Sequence, residues 1–478
     1  MASVNPPRGM RDFLPAEKAR RERVLGVIRE RYAAHGFDEI ETPVVEEYSR
    51  LHAGIGGDNE KLAYNVLKRG LDAEAVRAAA EDSVAVDTAR LADLGLRYDL
   101  TVPLARFYAS HRAELPTVFR AIQSAPVWRA ERPQKGRYRQ FVQCDIDIIG
   151  DPSPRAEAEL IVATLDTVDA LGLEGATVRI NDRRALDWML DGFGFTAQER
   201  PGALITIDKL DKVGPEGVVA ELRTRALRQA QGPKSQAQGP ESHAEGPESH
   251  AQGPESQAQG PESHAQGPEH AAVDALEAFL RRPMTLEYNP YGEGQIRKLL
   301  PPEAPDEIVA HLVQIGEAVA AARGTQAGAS ADIPLIFDPF LVRGMGYYTG
   351  TIFELAHPSV EYSLGGGGRY DGMIGRFLGQ DVPAVGFSIG FERIVDLVEA
   401  RADAAAAAVV LVHDRDVPLG ELLALKSALV GQGSRVRLEQ RTKNLKALLE
   451  RAASDGYTAF ATVSSGATSE TLEVKPLG

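Results

Sequence analysis

Cysteine is nearly absent: Cys144 is the only one in 478 residues. A single thiol excludes an intramolecular disulfide framework and any cysteine-based zinc cluster, and it suits a reducing compartment. Long apolar runs are missing as well. No stretch reaches the ~18 apolar residues of a membrane span, and the opening MASVNPPRGMRDFLPAEKARRER lacks the apolar core of a secretory signal. The expectation is a cytoplasmic protein without membrane association. A Walker-type loop, G-x-x-x-x-G-K-[ST], is also lacking, so any nucleotide phosphate must be held by other groups.

What is present suits a multidomain globular chain. Apolar residues make up 43% and charged residues 25%, and at ~100 to 200 residues per domain the length corresponds to two to four domains. The formal charge is -15, from 53 Lys and Arg against 68 Asp and Glu. That total argues against a surface coated in basic residues, but a local basic patch can bind nucleic acid inside an acidic whole.

Residues 230–270 stand apart. They read AQGPKSQ, AQGPESH, AEGPESH, AQGPESQ, AQGPESH and AQGPEH, a seven-residue repeat with a shortened last copy. Alanine is its only apolar position, so no coiled-coil seam can form, and proline in every copy breaks a helix. The expectation is a disordered insert. It holds six Glu and one Lys, hence five of the fifteen net negative charges, and four of the ten His. Those His stand six or more apart with no cysteine among them, a poor metal-binding spacing.

Elsewhere, residues 16–34 carry Val24, Leu25, Val27, Ile28 and Tyr32 at helical spacing and stop at Gly36. Residues 37–48 read as extended, 58–96 as helical with a loop, and 97–102, 126–132 and 140–149 as strands. A helix is expected over 156–172 and mostly helix over 183–325, with strands at 333–342, 349–356 and 383–389. After a charged, Ala-rich link at 401–408, strand and helix alternate to the end: VVLVHD, a helix over 418–430, RVRLE, a helix over 442–453, AFATV and LEVKP. That pattern predicts a small separate α/β domain.

The strand FVQCDIDIIG separates by face, because side chains alternate. Val142, Cys144, Ile146 and Ile148 form an apolar side; Gln143, Asp145 and Asp147 form a polar one, which is either a solvated surface or the floor of a site. Just before it, RAERPQKGRYRQF places five Arg or Lys side chains around Pro133 and Gly136. Such a hairpin either presents guanidinium groups to a phosphate or is simply solvated. LVRGMGYYTGTIFE sets Arg343 before a Gly-x-Gly and paired tyrosines, GGGGRYDG reads as a glycine loop followed by Arg369 and Asp371, and AVGFSIGFERI leads into Arg393. Three separated arginines beside glycines, Arg129, Arg343 and Arg393, suit a polyphosphate ligand.

Together these stretches resemble the histidyl-tRNA synthetase family of class II aminoacyl-tRNA synthetases. RAERPQKGRYRQF with QCDID resembles motif 2, LVRGMGYYTGTIFE and GGGGRYDG the two histidine-specific motifs, and AVGFSIGFERI motif 3. PPRGMRDFLP and FDEIETPVVEE, the latter like motif 1, also fit. The resemblance covers nearly the whole chain outside the repeat. It implies an α+β fold: an antiparallel class II sheet flanked by helices, with a mainly helical insertion and a C-terminal α/β anticodon-binding domain. The implied boundaries are 1–182 and 326–400 for the catalytic domain, 183–325 for the insertion and 404–478 for the last domain.

The implied activity is a ligase that joins L-histidine and ATP into histidyl-adenylate and transfers histidine to its tRNA. ATP is a substrate and Mg2+ accompanies it, with no protein side chain assigned to the metal. A homodimer is implied through motif 1. By motif matching, Arg129, Arg343 and Arg393 are catalytic and contact ATP, with Glu131 on the adenine side and Phe141 stacked on the base. Asp99, Thr101 and Gln143 take the histidine ammonium, and Asp147 with Tyr347 or Tyr348 reads the imidazole. Thr101, followed by Pro103, also fits a helix N-cap. Arg441, Lys443, Lys446 and Arg451, expected along one stretch of helix, face the tRNA or are simply solvated. Asp99 and Asp147 stand where many relatives have Glu, and Met345-Gly346 replaces a Leu-Asp pair. The alternative is the synthetase-like regulatory subunit of ATP phosphoribosyltransferase, which charges no tRNA and normally lacks both the anticodon domain and the ATP-binding arginines.

Overall fold

A computed structural model describes residues 4–52, 62–80, 86–133, 136–230, 268–282, 291–323, 333–343, 346–398 and 408–477. The repeat between 231 and 267, the link at 401–407, Met345, and residues 53–61 and 81–85 lie outside the described residues.

Among the described residues eleven strands precede the C-terminal unit: β1 (Asp38–Glu39), β2 (Val45–Glu47), β3 (Tyr64–Leu67), β4 (Ala92–Leu96), β5 (Phe119–Trp128), β6 (Gln140–Ile149), β7 (Thr177–Asp182), β8 (Leu335–Phe337), β9 (Thr351–His357), β10 (Val360–Arg369) and β11 (Ala384–Gly390). Eight of them form one sheet in the order β1-β5-β6-β11-β10-β9-β7-β8. Its interior pairs are antiparallel, and only the two edge pairs, β1 with β5 and β7 with β8, are parallel.

The helix Pro15–Ala34 packs one face of this sheet because Val24, Ile28 and Tyr32 recur at spacings of four and are buried. Proline at its first turn and Gly36 at φ 81° beyond its end mark the boundaries the sequence announces. The helix Pro154–Ala170 lies on the same side, and Cys144, Ile146 and Ile148 of β6 join this core at 0% exposure.

Three readings need correction. Among the described residues, 58–96 are not chiefly helical: β4 pairs with β2 on one side and with β3 on the other in a three-stranded antiparallel sheet, and the helices there are short, Ala73–Ala78 and Thr88–Leu91. The strand expected at 97–102 ends at Leu96, and the helix Thr101–His111 follows. Asp99 Oδ1 accepts from the Val102 backbone N–H at 3.1 Å, so Asp99 rather than Thr101 serves the free N–H groups of the buried helix start, while Pro103 sits where a missing N–H is harmless.

The third correction concerns GGGGRYDG. Gly365 to Gly368 are not a loop but the middle of β10, between β9 and β11. Glycine opposes strand formation on propensity alone; here it is needed for room. A methyl group on Gly366 would stand 2.6 Å from Arg343 Cζ and 2.7 Å from the Phe353 carbonyl oxygen.

Helices fill most of the described part of 183–322, including Arg183–Phe193, Arg200–Ile207, Leu210–Ala230 and Asp306–Ala322. From residue 408 come β12 (Ala408–His413), β13 (Arg435–Gln440), β14 (Ala459–Val463) and β15 (Lys475–Pro476) in a separate four-stranded sheet ordered β13-β12-β14-β15, with helices Leu419–Gly431 and Leu445–Ser454. It has its own apolar core around Val409, Leu411, Leu425 and Val463.

Candidate active site

Strand register builds the site. One rung crosses seven strands as Ile336, Arg179, Glu354, Gly366, Ser388, Asp145 and Gln123. Two residues along β6, Asp147 lies opposite Gly386. The polar face of β6 is therefore not a solvated surface: Gln143, Asp145 and Asp147 are all buried.

At one end three carboxyl groups converge. Burial, less an opposing hydrogen bond from Tyr370 and with Asp99 adding repulsion, pushes Asp147 up to about 7. Burial pushes Asp99 up to about 6 against the backbone N–H of Val102 and the charge of Arg129. Asp145 is driven upward by burial and by Asp147. Asp99 Oδ2 and Gln143 Oε1 are buried without a hydrogen-bond partner, a costly condition that a cationic, donor-rich ligand would relieve. The amide of Gln143 donates to Ser388 Oγ at 3.0 Å.

Three tyrosines wall this end. Tyr347 meets Tyr348 with ring centroids 4.8 Å apart and Tyr370 at 6.2 Å. Thr101 and Tyr348 both act on the Tyr347 hydroxyl, so Thr101 reaches the site from the start of its helix. The Tyr370 hydroxyl, not Tyr347 or Tyr348, donates to Asp147 Oδ1, at 2.6 Å.

Guanidinium groups occupy the other end. Arg129 Nε donates to the Tyr98 carbonyl at 3.0 Å, and its Cζ lies 5.0 Å from the Phe141 ring centroid. Arg343 donates from Nη1 to Glu354 Oε2 at 2.9 Å. Arg393 donates to the Ser363 carbonyl and lies over Tyr362. Burial, with Arg137 and Arg343 beside it, holds the Arg393 guanidinium below its usual value. Glu131 faces Arg137 at 3.5 Å. The like charges of Arg137 and Arg343 acting on Arg393 favour a polyanion among them.

Several participants escaped the sequence reading. Tyr370 lies inside GGGGRYDG and Asp145 on the polar face of its strand, and each motif carries the signal for its residue. Arg137 was one of five hairpin cations with nothing to single it out. Arg369 is a brace: it grips buried Glu157 through two bonds of 2.7 Å each. Among the described residues no group of three or more His, Cys, Asp or Glu is placed to hold a metal ion.

The four C-terminal cations are exposed, but only Lys446 and Arg451 lie on a helix. Asn444 caps it, accepting from the Ala447 N–H at 3.1 Å, so Arg441 and Lys443 precede the first turn. Arg441 faces Asp414 at 3.4 Å.

The sequence profile described as histidyl-tRNA synthetase matches residues 9–245 and 270–394. The chain belongs to the histidyl-tRNA synthetase family. A protein named histidine--tRNA ligase from Leifsonia xyli subsp. xyli is 54% identical over 478 residues, covering 100% of this chain and 99% of that one. A probable histidine--tRNA ligase from Tropheryma whipplei is 38% identical over 459 residues, 96% of this chain and 95% of its own.

Two solved structures share the fold. The histidyl-tRNA synthetase from Nostoc sp. PCC 7120 superposes with a TM-score of 0.69 at 22% identity, over 100% of this chain and 95% of that one. An ATP phosphoribosyltransferase regulatory subunit/histidyl-tRNA synthetase from Bacillus halodurans gives 0.67 at 18%, over 97% and 98%. At those identities the likeness speaks for the fold alone. Full-length similarity to proteins named as ligases does not favour the regulatory-subunit reading. The α+β architecture, an antiparallel sheet with helices, is that of a class II histidyl-tRNA synthetase.

Proposed function

We propose that this chain is a working histidine--tRNA ligase whose two ends divide the substrates: the acidic, tyrosine-walled end takes L-histidine and the guanidinium end takes ATP. One observation carries the reading. Asp99, Asp145 and Asp147 are buried together with unpartnered oxygen and amide atoms at one end, while Arg343 and Arg393 crowd each other at the other.

The histidine carboxylate attacks the α-phosphorus of ATP, the bond to the bridging oxygen breaks, and pyrophosphate leaves. A hydroxyl of the terminal ribose of tRNA then attacks the histidyl carbonyl, and AMP departs. No side-chain nucleophile is needed, so rate comes from positioning and charge stabilisation. Arg129 meets the α-phosphate, Phe141 stacks on adenine with Glu131 at its edge, and Arg393 covers the other adenine face or holds the γ-phosphate. Arg343 stands between the histidine carboxylate and the α-phosphate, two anions whose repulsion a fixed cation offsets. Mg2+ arrives with ATP as part of the substrate.

Asp99, Thr101 and Gln143 receive the ammonium; Asp147, held by Tyr370, reads one imidazole nitrogen, and Tyr347 or Tyr348 the other. A ligand without those nitrogens leaves the buried groups unpaired, which is how such a site rejects isosteres. In this reading residues 1–182 and 326–400 are the catalytic domain, 183–325 an insertion and 404–478 the anticodon-binding domain, whose Arg441, Lys443, Lys446 and Arg451 face the tRNA. The protein works in the cytoplasm as a homodimer paired through the motif 1 region. Among the described residues no helix is long and apolar enough to cross a membrane.

The test is aminoacylation of a histidine tRNA transcript by the purified chain. Charging with histidine that depends on ATP is expected; a folded protein that binds histidine but charges no tRNA would sink the reading.

A further inference from the structure

Arg343 does not stand alone. The sheet places Glu354 directly opposite Arg179 on one side and Gly366 on the other. Glu354 Oε2 accepts from Arg343 Nη1 at 2.9 Å, and Glu354 Oε1 accepts from Arg179 Nη1 at 3.1 Å. Arg179 is itself held. Its Nε donates to Asp338 Oδ2 at 2.8 Å, and its Nη1 donates to Asp211 Oδ2 at 2.8 Å. Asp338 is 1% exposed, and its second oxygen accepts from the Phe340 N–H at 2.9 Å. Beside this row, Gly366 leaves the notch in which the Arg343 guanidinium lies.

The arrangement has a physical logic. A guanidinium that must meet two ligand anions cannot be tied up by a bidentate carboxylate of its own. Glu354 touches Arg343 through one nitrogen, and Arg179 shares the negative charge of that carboxylate. Arg343 is thereby held in place while its remaining donors and most of its positive field stay available. Displacing such a group by about 1 Å costs roughly 100-fold in rate.

We propose that Glu354 and Arg179 are positioning residues for Arg343, and that Asp211 ties their setting to the helical segment after β7. Asp211 lies in the helical turn before the break at Gly214 (φ 71°, ψ 172°), ahead of the helix that runs on to Ala230, and Asp208 just before it feels the charge of Arg343. A change in that segment therefore reaches the phosphate end of the site through Arg179 and Glu354. The proposal rests on the reading of Arg343 given above.

The experiment is histidine-dependent ATP–pyrophosphate exchange by the full chain, its Glu354→Gln and Arg343→Ala variants and the double variant, with melting curves for each. Glu354→Gln should lower kcat by at least about tenfold while the KM for histidine stays within about threefold. In the Arg343→Ala background it should change the residual rate by less than about twofold, because Glu354 acts through Arg343. A residue that merely supports the fold gives losses that multiply. Multiplying losses, or a Glu354→Gln kcat within twofold of the parent, overturn the proposal. Asp211 is exposed, so Asp211→Asn folds whatever Glu354→Gln does; it should lower kcat by about two- to fivefold, with KM unchanged, and no effect together with a Glu354→Gln protein that cannot fold also overturns it. Exchange by the parent protein separates this outcome from the functional reading: a parent without exchange overturns both.

Discussion

The Tyr370 hydroxyl donates to Asp147 Oδ1 at 2.6 Å across 223 residues of sequence. It joins the second histidine motif to the motif 2 strand and fixes which oxygen of Asp147 remains for a ligand. Hydrogen bonds to charged groups contribute about 1.5–3 kcal/mol. Tyr370→Phe should therefore raise the KM for histidine by roughly tenfold or more with the KM for ATP unchanged. A change below about twofold would remove Tyr370 from histidine recognition.

The buried acids set a pH dependence. An unfolded Asp titrates near ~3.9, whereas Asp99 and Asp147 are raised to about 6 and about 7 in the folded protein. Between those limits the folded state binds more protons than the unfolded one. The stability these groups contribute is present below about pH 4 and is lost as pH rises through 6 and 7. Asp147→Asn keeps the acceptor for Tyr370 and removes this titration. The melting temperature of the variant relative to the parent should rise by a few degrees between pH 5 and pH 8; a pH-independent difference contradicts the assignment.

Gly386 tests the same carboxylate by space alone. A methyl group there would stand 2.0 Å from Asp147 Oδ1 and 3.3 Å from Tyr370 Cε1. Both neighbours are side chains, so the strand need not move but Asp147 must turn. Gly386→Ala should raise the KM for histidine at least about tenfold, as expected for a lost charged hydrogen bond, with little change in melting temperature. An unchanged KM would show that the placement of Asp147 does not govern histidine binding.

How much of this was legible beforehand follows from the residues. Alternation along β6 put Cys144, Ile146 and Ile148 in the core and the acids opposite, because a strand has only two faces. That the second face is also buried depended on Tyr347 and Tyr348 before β9 and Tyr370 just after β10, segments distant in sequence. Gly365 to Gly368 read as a loop because glycine has a low strand propensity; the reason for the glycines, the Arg343 guanidinium and neighbouring carbonyls, appears only when β9, β10 and β11 lie side by side. Residues 97–102 misled for a local reason, since Asp99 satisfies the Val102 N–H and starts a helix where β-branched and aromatic neighbours suggested a strand.

Buried charge also anchors the N-terminal helix. Glu392 accepts from Arg21 Nη1 at 2.5 Å and Nη2 at 2.8 Å, from Arg11, and from the Val142 N–H at 3.2 Å. Removing one partner of a buried pair costs about 3–5 kcal/mol because the other charge is stranded. Glu392→Ala should lose that amount in a denaturant titration, and Arg21→Ala combined with it should add little more. A loss below about 1 kcal/mol would contradict the role of this pair, since surface pairs contribute no more than that.

The central claim is that one end of the site reads histidine and the other activates it. ATP–pyrophosphate exchange by the full chain, measured with each of the twenty amino acids in turn, tests it most directly. Exchange with histidine alone is the predicted result, falling at least about 100-fold in Arg343→Ala, the loss typical of one missing electrostatic donor. Exchange with no amino acid, equal exchange with another one, or a rate that survives Arg343→Ala would contradict it.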